Sequence, residues 1–128
     1  MTVQLIKGGA KNHSILVKGF VRSDFTSTEI LDMSDAIKSS GLKGLRLDSA
    51  VWAIQEKMGL YLWWEKEHTE ENLALVMESR NGMRFDEGLP SPRVDDGWKG
   101  KLYLSSFKHQ TTGIGPAAFV LLLDFDKQ

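Results

Sequence analysis

The run from Leu45 to Trp64 limits the possible folds of this chain more than any other segment. Apolar and polar residues alternate from Leu45 to Ser49, and this period of two predicts a strand with one buried side. Beyond Ala50 the apolar positions shift to Trp52 and Ile54, which predicts a β-bulge or a change of sheet. We therefore expect two long paired strands at the centre of a small β-sandwich.

The second strand of that run, Leu60 to Trp64, is apolar on both sides. Leu60, Leu62 and Trp64 share one side, and Tyr61 and Trp63 share the other. Such a strand needs cover on both faces. We expect a sandwich core on one side and a loop, a subunit or another partner on the other.

Other short runs have strand character and are separated by turn signals such as Gly8-Gly9, Asn81-Gly82 and Gly113–Pro116. They are Val3–Lys7, Ser14–Val21, Thr28–Met33, Leu73–Met77, Lys101–Ser105 and Ala118–Asp124. The last is apolar on both sides, which predicts a central position in a sheet.

Two of these strand predictions have a helical rival. The apolar residues between Ile30 and Ile37 also fall on one side of a helix, and a helix capped by Thr69 is the alternative for Leu73–Met77. We expect a loop after Met33, a turn at Glu56–Gly59, and a long surface loop from Met83 to Trp98.

About seven or eight short strands without βαβ alternation predict an all-β fold. The expected architecture is one antiparallel β-sandwich of jelly-roll type that spans residues 1–128. A chain of this length buries enough surface to fold without staples.

The charge balance and the apolar pattern exclude several broad classes of function. Sixteen basic and seventeen acidic residues give a net charge of −1, without the basic stripe that nucleic-acid binding requires. The chain has no cysteine, so disulfides and thiolate metal sites are excluded. The longest apolar run, Pro116–Leu123, is too short to span a bilayer, and no signal peptide is expected.

The sequence also predicts no catalytic residue, metal site or cofactor. The three histidines, His13, His68 and His109, lie apart from other residues of metal-ligand type. The glutamates between Glu65 and Glu71 fit a solvated loop better than a pair of catalytic carboxylates. Asp95 and its neighbours resemble a turn rather than a calcium loop. Without a catalytic set of residues, a hydrolase is the third and least supported hypothesis.

Four tryptophans keep one other class of function open. Exposed aromatic faces stack on sugar rings, so a carbohydrate-binding β-sandwich module is the alternative. Trp52 and one of the adjacent pair Trp63 and Trp64 are expected in the core.

Four segments of the chain carry a resemblance to known proteins. They are GGAKNHSILVKGF, LRLDSAVWAIQEKMGLYLWWE, GWKGKLYLSS and the closing FVLLLDFDKQ. In these segments, and over nearly its whole length, the chain resembles small structural proteins of tailed bacteriophage virions. The resemblance implies a non-enzymatic decoration or cement protein of the capsid, with a neck or tail role as the alternative.

The resemblance also sets expectations for partners. It implies contacts with the major capsid protein or other virion proteins and a homo-oligomer. The charge balance and the short apolar runs predict no nucleic acid and no membrane among the partners. It places the protein in the virion, assembled in the host cytoplasm. We expect the doubly apolar strand and the Pro-rich segment to make these contacts, with interface residues Tyr61, Trp63, Trp64, Leu89, Pro90, Pro92 and Val94.

Overall fold

A computed structural model describes residues 1–55, 58–107 and 117–128 of the chain. These residues form nine strands, one short α-helix and two 3₁₀ turns. The strands are β1 (Thr2–Gly8), β2 (Asn12–Val21), β3 (Thr28–Asp32), β4 (Leu45–Ile54), β5 (Gly59–Trp63), β6 (Leu73–Glu78), β7 (Arg80–Pro90), β8 (Lys101–Phe107) and β9 (Ala117–Lys127). The helix α1 spans Ser34–Ser40, and the 3₁₀ turns span Glu70–Asn72 and Val94–Asp96.

The strands form two antiparallel sheets. The five-stranded sheet has the order β1-β2-β9-β4-β7, and the four-stranded sheet has the order β3-β8-β5-β6. With β1 set aside, the strands pair from the outside inwards: β2 with β9, β3 with β8, β4 with β7, and β5 with β6. A long hairpin that rolls up on itself gives this nesting, which is the eight-stranded jelly roll. The predicted antiparallel sandwich is therefore confirmed, and β1 adds a ninth strand.

The core lies between the two sheets and follows the strand period of two. In β9 the inward side chains are buried and the outward ones alternate with them; the inward set is Ala117, Phe119, Leu121, Leu123 and Phe125. Leu60, Leu62 and Leu104 face them from the four-stranded sheet and are fully buried. Each large side chain of this kind stabilises the fold by about 1.5–3 kcal/mol relative to an exposed position.

The prediction that Leu45–Trp64 holds two paired strands is wrong. Strand β4 lies between β9 and β7 in one sheet, while β5 lies between β8 and β6 in the other. The shifted apolar pattern does not mark a change of sheet, because β4 stays in the five-stranded sheet through Ile54. A bulge also exists, but it lies between Leu47 and Ser49 rather than beyond Ala50.

Two loop predictions are also wrong. Helix α1 follows β3 where a loop was expected, and it ends at Gly41, whose φ of 69° is left-handed. Much of the predicted Met83–Trp98 loop is strand β7, and Asn81-Gly82 lies inside that strand rather than in a turn. The chain passes from the four-stranded sheet to the five-stranded sheet at Ser79, whose φ is 59°. An edge strand such as β7 needs no apolar alternation, so its sequence resembles a loop.

Three other predictions are confirmed. The first two strands form an antiparallel hairpin, Leu73–Glu78 is a strand rather than a helix, and β9 lies in the middle of its sheet. Of the predicted turn at Glu56–Gly59, residues 56 and 57 lie outside the described residues, and Gly59 is the first residue of β5. The predicted break at Gly113–Pro116 also lies outside the described residues.

Candidate interaction surface

The outer face of the five-stranded sheet carries an apolar area that Lys18, opposite Val120, interrupts on β2. Strand pairing places outward side chains of neighbouring strands in rows: Leu16, Leu122 and Val51 form one row, and Val120 and Ala53 lie side by side in the next. Beyond them Phe20 lies opposite Ala118. We call this area the apolar outer face; it consists of Leu16, Phe20, Val51, Ala53, Ala118, Val120 and Leu122.

Solvent reaches much of this face. Phe20 is 67% exposed and Val51 is 52% exposed, and no strand or helix of the described residues covers them. Gly82 lies opposite Val51 on β7 and leaves space beside its side chain. Large apolar side chains that adjoin one another on an exposed sheet are typical of a contact surface for another macromolecule.

Three shallow depressions meet at Val120 on this face. One, of about 220 Å³, is lined by Val51, Trp52, Ala53, Val120 and Leu122. A second, of about 320 Å³, includes Gln55 and Phe119, and a third, of about 380 Å³, includes Phe20 and Lys18. The outer surface around Val120 is therefore uneven rather than flat.

The other half of the same sheet face is polar and internally paired. The Ser14 hydroxyl donates to Asp124 Oδ1, and the Ser49 hydroxyl donates to Asp124 Oδ2 at 2.8 Å. Next to them, Arg46 contacts Asp48 at 2.7 Å and Asp126 at 3.2 Å. These polar groups bond to each other. The sheet face therefore has a polar half, whose groups are hydrogen-bonded or ion-paired, and an apolar half.

The predicted contact residues Tyr61 and Trp63 lie on the outer face of the four-stranded sheet, where the chain itself covers them. Trp63 is only 8% exposed, and its Nε1 donates to the Ser105 hydroxyl at 2.9 Å. The His68 ring stacks on it with 4.2 Å between centroids. Tyr61 is half-buried and stacks on Phe107, also at 4.2 Å. The expected cover on this side is therefore a loop of the same chain.

Trp64 lies on the opposite side, in the core, and is 4% exposed. Its ring makes edge contacts with Trp98 and Phe125 at centroid distances of 6.2 and 6.5 Å. Trp63 and Trp64 thus have little side-chain surface to offer a partner, and the core position expected for one of the pair is confirmed.

The four predicted contact residues of the Pro-rich segment close one end of the sandwich. Leu89 and Val94 are half-buried against the core, Pro92 is half-buried, and Pro90 is exposed at the end of β7. The main chain here is tied down, since Ser91 N donates to Leu45 O at 2.7 Å and Val94 N donates to Lys43 O at 2.9 Å. Pro90 is therefore the one fully exposed member of the predicted set.

The carbohydrate-binding alternative depended on an exposed tryptophan ring. Trp52, Trp63, Trp64 and Trp98 are all buried, at 3–8% exposure. Trp98 donates its Nε1 hydrogen to Trp64 O at 2.9 Å, which places the polar atom of the ring in the interior. A sugar-stacking platform needs an exposed ring face, and the tryptophans provide none.

The fold brings together one serine and one histidine that the sequence analysis did not connect. Ser27 Oγ lies 2.6 Å from His68 Nε2 and also donates to Lys66 O at 2.9 Å. Both residues lie on loops that meet over Trp63, so the pair holds the 65–72 segment against the sheet. The bond to the carbonyl occupies the hydroxyl hydrogen, which fits a structural contact better than an activated nucleophile.

The remaining candidates for a chemical role are the glutamates after Trp64, the aspartates of the second 3₁₀ turn and the histidines. Burial raises the pKa of Glu65, and the carboxylate of Glu67 raises it further. Asp95 and Asp96 form a 3₁₀ turn that ends at Gly97, and Asp95 contacts Lys43 at 3.4 Å. In the described part of the chain, no three His, Asp or Glu residues gather as metal ligands would. His109 lies outside that part.

Comparisons with known proteins give no relative for this chain. No protein-family model, no curated protein and no solved structure matches it. Within the described residues, no helix combines the length and apolar character needed to cross a membrane.

The apolar outer face was missed at the sequence level although its signal was visible. Val120 and Leu122 form the second apolar side of β9, which was interpreted only as evidence for a central strand. Alternation shows that both sides of a strand are apolar, but it does not show which side lacks cover. The partners Val51 and Phe20 become part of the same face only through the pairing of distant strands.

Proposed function

We propose that this protein is a non-enzymatic structural component of a tailed-phage virion that decorates the capsid and cements it through non-covalent contacts. The apolar outer face carries the proposal, because a rigid and exposed apolar sheet face is suited to adhesion. The resemblance of four chain segments to small virion proteins supplies the class of particle.

The composition of the face suits repeated, modest contacts. Its Val, Ala and Leu side chains lose little conformational freedom when a partner covers them, so ordering costs are low. Lys18 lies between Leu16 and Phe20 on β2, opposite Val120, and supplies a charge on the same side of the sheet. Many identical copies on a shell need only a small interface each, since each copy bridges neighbouring capsid subunits.

The test uses capsids of the phage that encodes this chain, assembled without it. Purified protein is added, and the particles are sedimented through a density gradient. We expect co-sedimentation at a fixed ratio of this protein to the major capsid protein. Protein that stays at the top of the gradient at every concentration would overturn the proposal.

Two valines of similar exposure provide a matched pair of variants. Val51, 52% exposed, lies in the apolar outer face, whereas Val76, 46% exposed, lies on β6 of the other sheet. We expect Val51→Glu to weaken capsid binding at least about tenfold and Val76→Glu to leave it unchanged. Equal losses in both variants would exclude the apolar outer face as the contact.

Electron microscopy of labelled particles separates the capsid role from its alternative. Density over the capsid lattice supports decoration. Density confined to the neck or tail replaces the capsid role with a neck or tail role.

A further inference from the structure

Strand β1 is an exposed edge strand, and it has apolar side chains on the inner face of its sheet. All seven of its residues are exposed, and among the described residues it pairs only with β2. Half of the eight strongly exposed large apolar side chains in the described chain lie in or beside this strand: Met1, Val3, Leu5 and Ile6.

The exposure has a simple geometric cause. Val3 pairs with Val17, and Leu5 pairs with Ile15, so all four face the inner side of the sheet. Val17 and Ile15 are 0% and 2% exposed, whereas Val3 and Leu5 are 42% and 58% exposed. One sheet has five strands and the other has four, so β1 extends past the edge of its cover.

The opposite edge of the same sheet is protected against strand pairing in a way that β1 is not. Strand β7 carries Arg84, Asp86 and Glu87, and its register is interrupted by a bulge. Charges and bulges are the usual means by which edge strands avoid pairing. Strand β1 has Lys7 as its single charged side chain, and the register shift next to it leaves Thr2–Leu5 regular.

We propose that β1 pairs with β1 of a second copy of this chain, antiparallel, about a two-fold axis near Gln4. This register places Val3 opposite Leu5 of the partner subunit on the inner face, and no charged side chain lies opposite another. The two five-stranded sheets become one sheet of ten strands. This pairing is independent of the proposed capsid role, because β1 lies outside the apolar outer face.

A second copy is the occupant that the strand itself specifies. The regular part of this edge, Thr2–Leu5, carries no charged side chain, and the same stretch of a second copy matches it in length and in lack of charge. The pairing satisfies the outward main-chain groups of both edges at once and brings the apolar inner-face side chains of the two copies into lateral contact. A foreign strand would need the same pattern, and it is treated as an outcome of the test.

The first experiment is analytical ultracentrifugation of the full chain over a range of concentrations. We expect a monomer–dimer equilibrium, and we expect Leu5→Glu to raise the dimer dissociation constant at least about tenfold, because two carboxylates enter the interface. Val76→Glu, a matched exposed position on β6, is expected to leave the constant unchanged. Circular dichroism checks that both variants keep the wild-type fold.

The second experiment uses the absence of cysteine from the chain. Gln4→Cys places one thiol beside the two-fold axis, where directly opposed Cβ atoms are close enough for a disulfide. Mild oxidation is expected to give a covalent dimer at least about tenfold faster than with Val76→Cys. This readout does not depend on the Leu5 variant remaining folded.

Three results would overturn the proposal. They are a monomer at all concentrations, a dimer that Leu5→Glu leaves intact, and equal cross-linking rates for the two cysteine variants. A monomer whose β1 amides become protected from hydrogen exchange only when capsids are added would show instead that a foreign strand occupies the edge. Capsid binding by a strict monomer would leave the proposed function standing and reject this dimer alone.

Discussion

The imidazole of His68 lies parallel to the indole of Trp63, with 4.2 Å between ring centroids and 3° between ring planes. This contact covers a tryptophan on the outward side of a sheet, where a partner protein would otherwise be expected. The Ser27 hydroxyl, 2.6 Å from His68 Nε2, fixes the imidazole in place. A local loop thus takes the role that an interface would have had.

Replacement of His68 by alanine should expose Trp63. We expect a red shift of tryptophan emission, stronger quenching by acrylamide, and a loss of about 0.5–1.5 kcal/mol in the free energy of unfolding. The other three tryptophans remain buried, so the change reports on Trp63. His68→Phe keeps a stacking ring and should retain the protection; equal quenching in wild type and His68→Ala would show that the ring is not the cover.

Replacement of Trp98 by phenylalanine should destabilise the core. The variant loses the hydrogen bonds from Nε1 to Trp64 O at 2.9 Å and Lys101 O at 3.3 Å, and it leaves a cavity. We expect the free energy of unfolding in urea to fall by about 2–4 kcal/mol. Phe20→Leu, at a 67% exposed position, should change it by less than about 0.5 kcal/mol. Equal stabilities for the two variants would contradict the buried role of Trp98.

Replacement of Gly19 by alanine should be costly because an aromatic ring lies over this glycine. Gly19 pairs with Phe119 across the sheet, and a Cβ at Gly19 would lie 2.2 Å from that ring. Phe119 is 4% exposed and has little room to move, so we expect a loss of about 1–3 kcal/mol in thermal or urea unfolding. Gly9→Ala is the control, since its nearest neighbouring atom is 3.8 Å away. A fully stable Gly19→Ala variant would refute the close approach.

The stability of the fold should fall as the pH drops below about 6.5, in part because of His13. Burial lowers the pKa of His13 from its ordinary value of 6.5, and Lys127 lowers it further. Its Nδ1 is buried, and no group within residues 1–55, 58–107 and 117–128 forms a hydrogen bond with it. The unfolded chain therefore binds a proton more readily than the folded one, so stability is lost from pH 6.5 down to the folded pKa.

The measurement is urea unfolding of wild type and His13→Gln at several pH values. The difference between the two isolates His13 from Glu65, whose raised pKa acts in the opposite direction: stability from that carboxyl is lost as the pH rises above its ordinary 4.5. We expect the variant to lose less stability than wild type between pH 7 and 5. Parallel pH profiles would show that His13 does not contribute.

The sequence by itself determined the class of fold and the position of its most apolar strand. Alternation along β9 fixed both its strand character and its place inside a sheet, because a strand that is apolar on both sides is unstable at an edge. Helix α1 and strand β7 escaped prediction for a related reason. A short helix with half-buried residues and an edge strand with exposed ones carry weak periodic signals.

Only the tertiary structure decided which apolar surfaces are covered and by what. Trp63 and Val120 both point away from the core, yet His68 covers Trp63, whereas no strand or helix of the described residues lies over Val120. Likewise, Val3 and Val17 share one face, but the four-stranded sheet reaches only the second. Whether an apolar side chain is shielded from solvent depends on which distant segments pack over it. The local pattern along one strand does not contain that information.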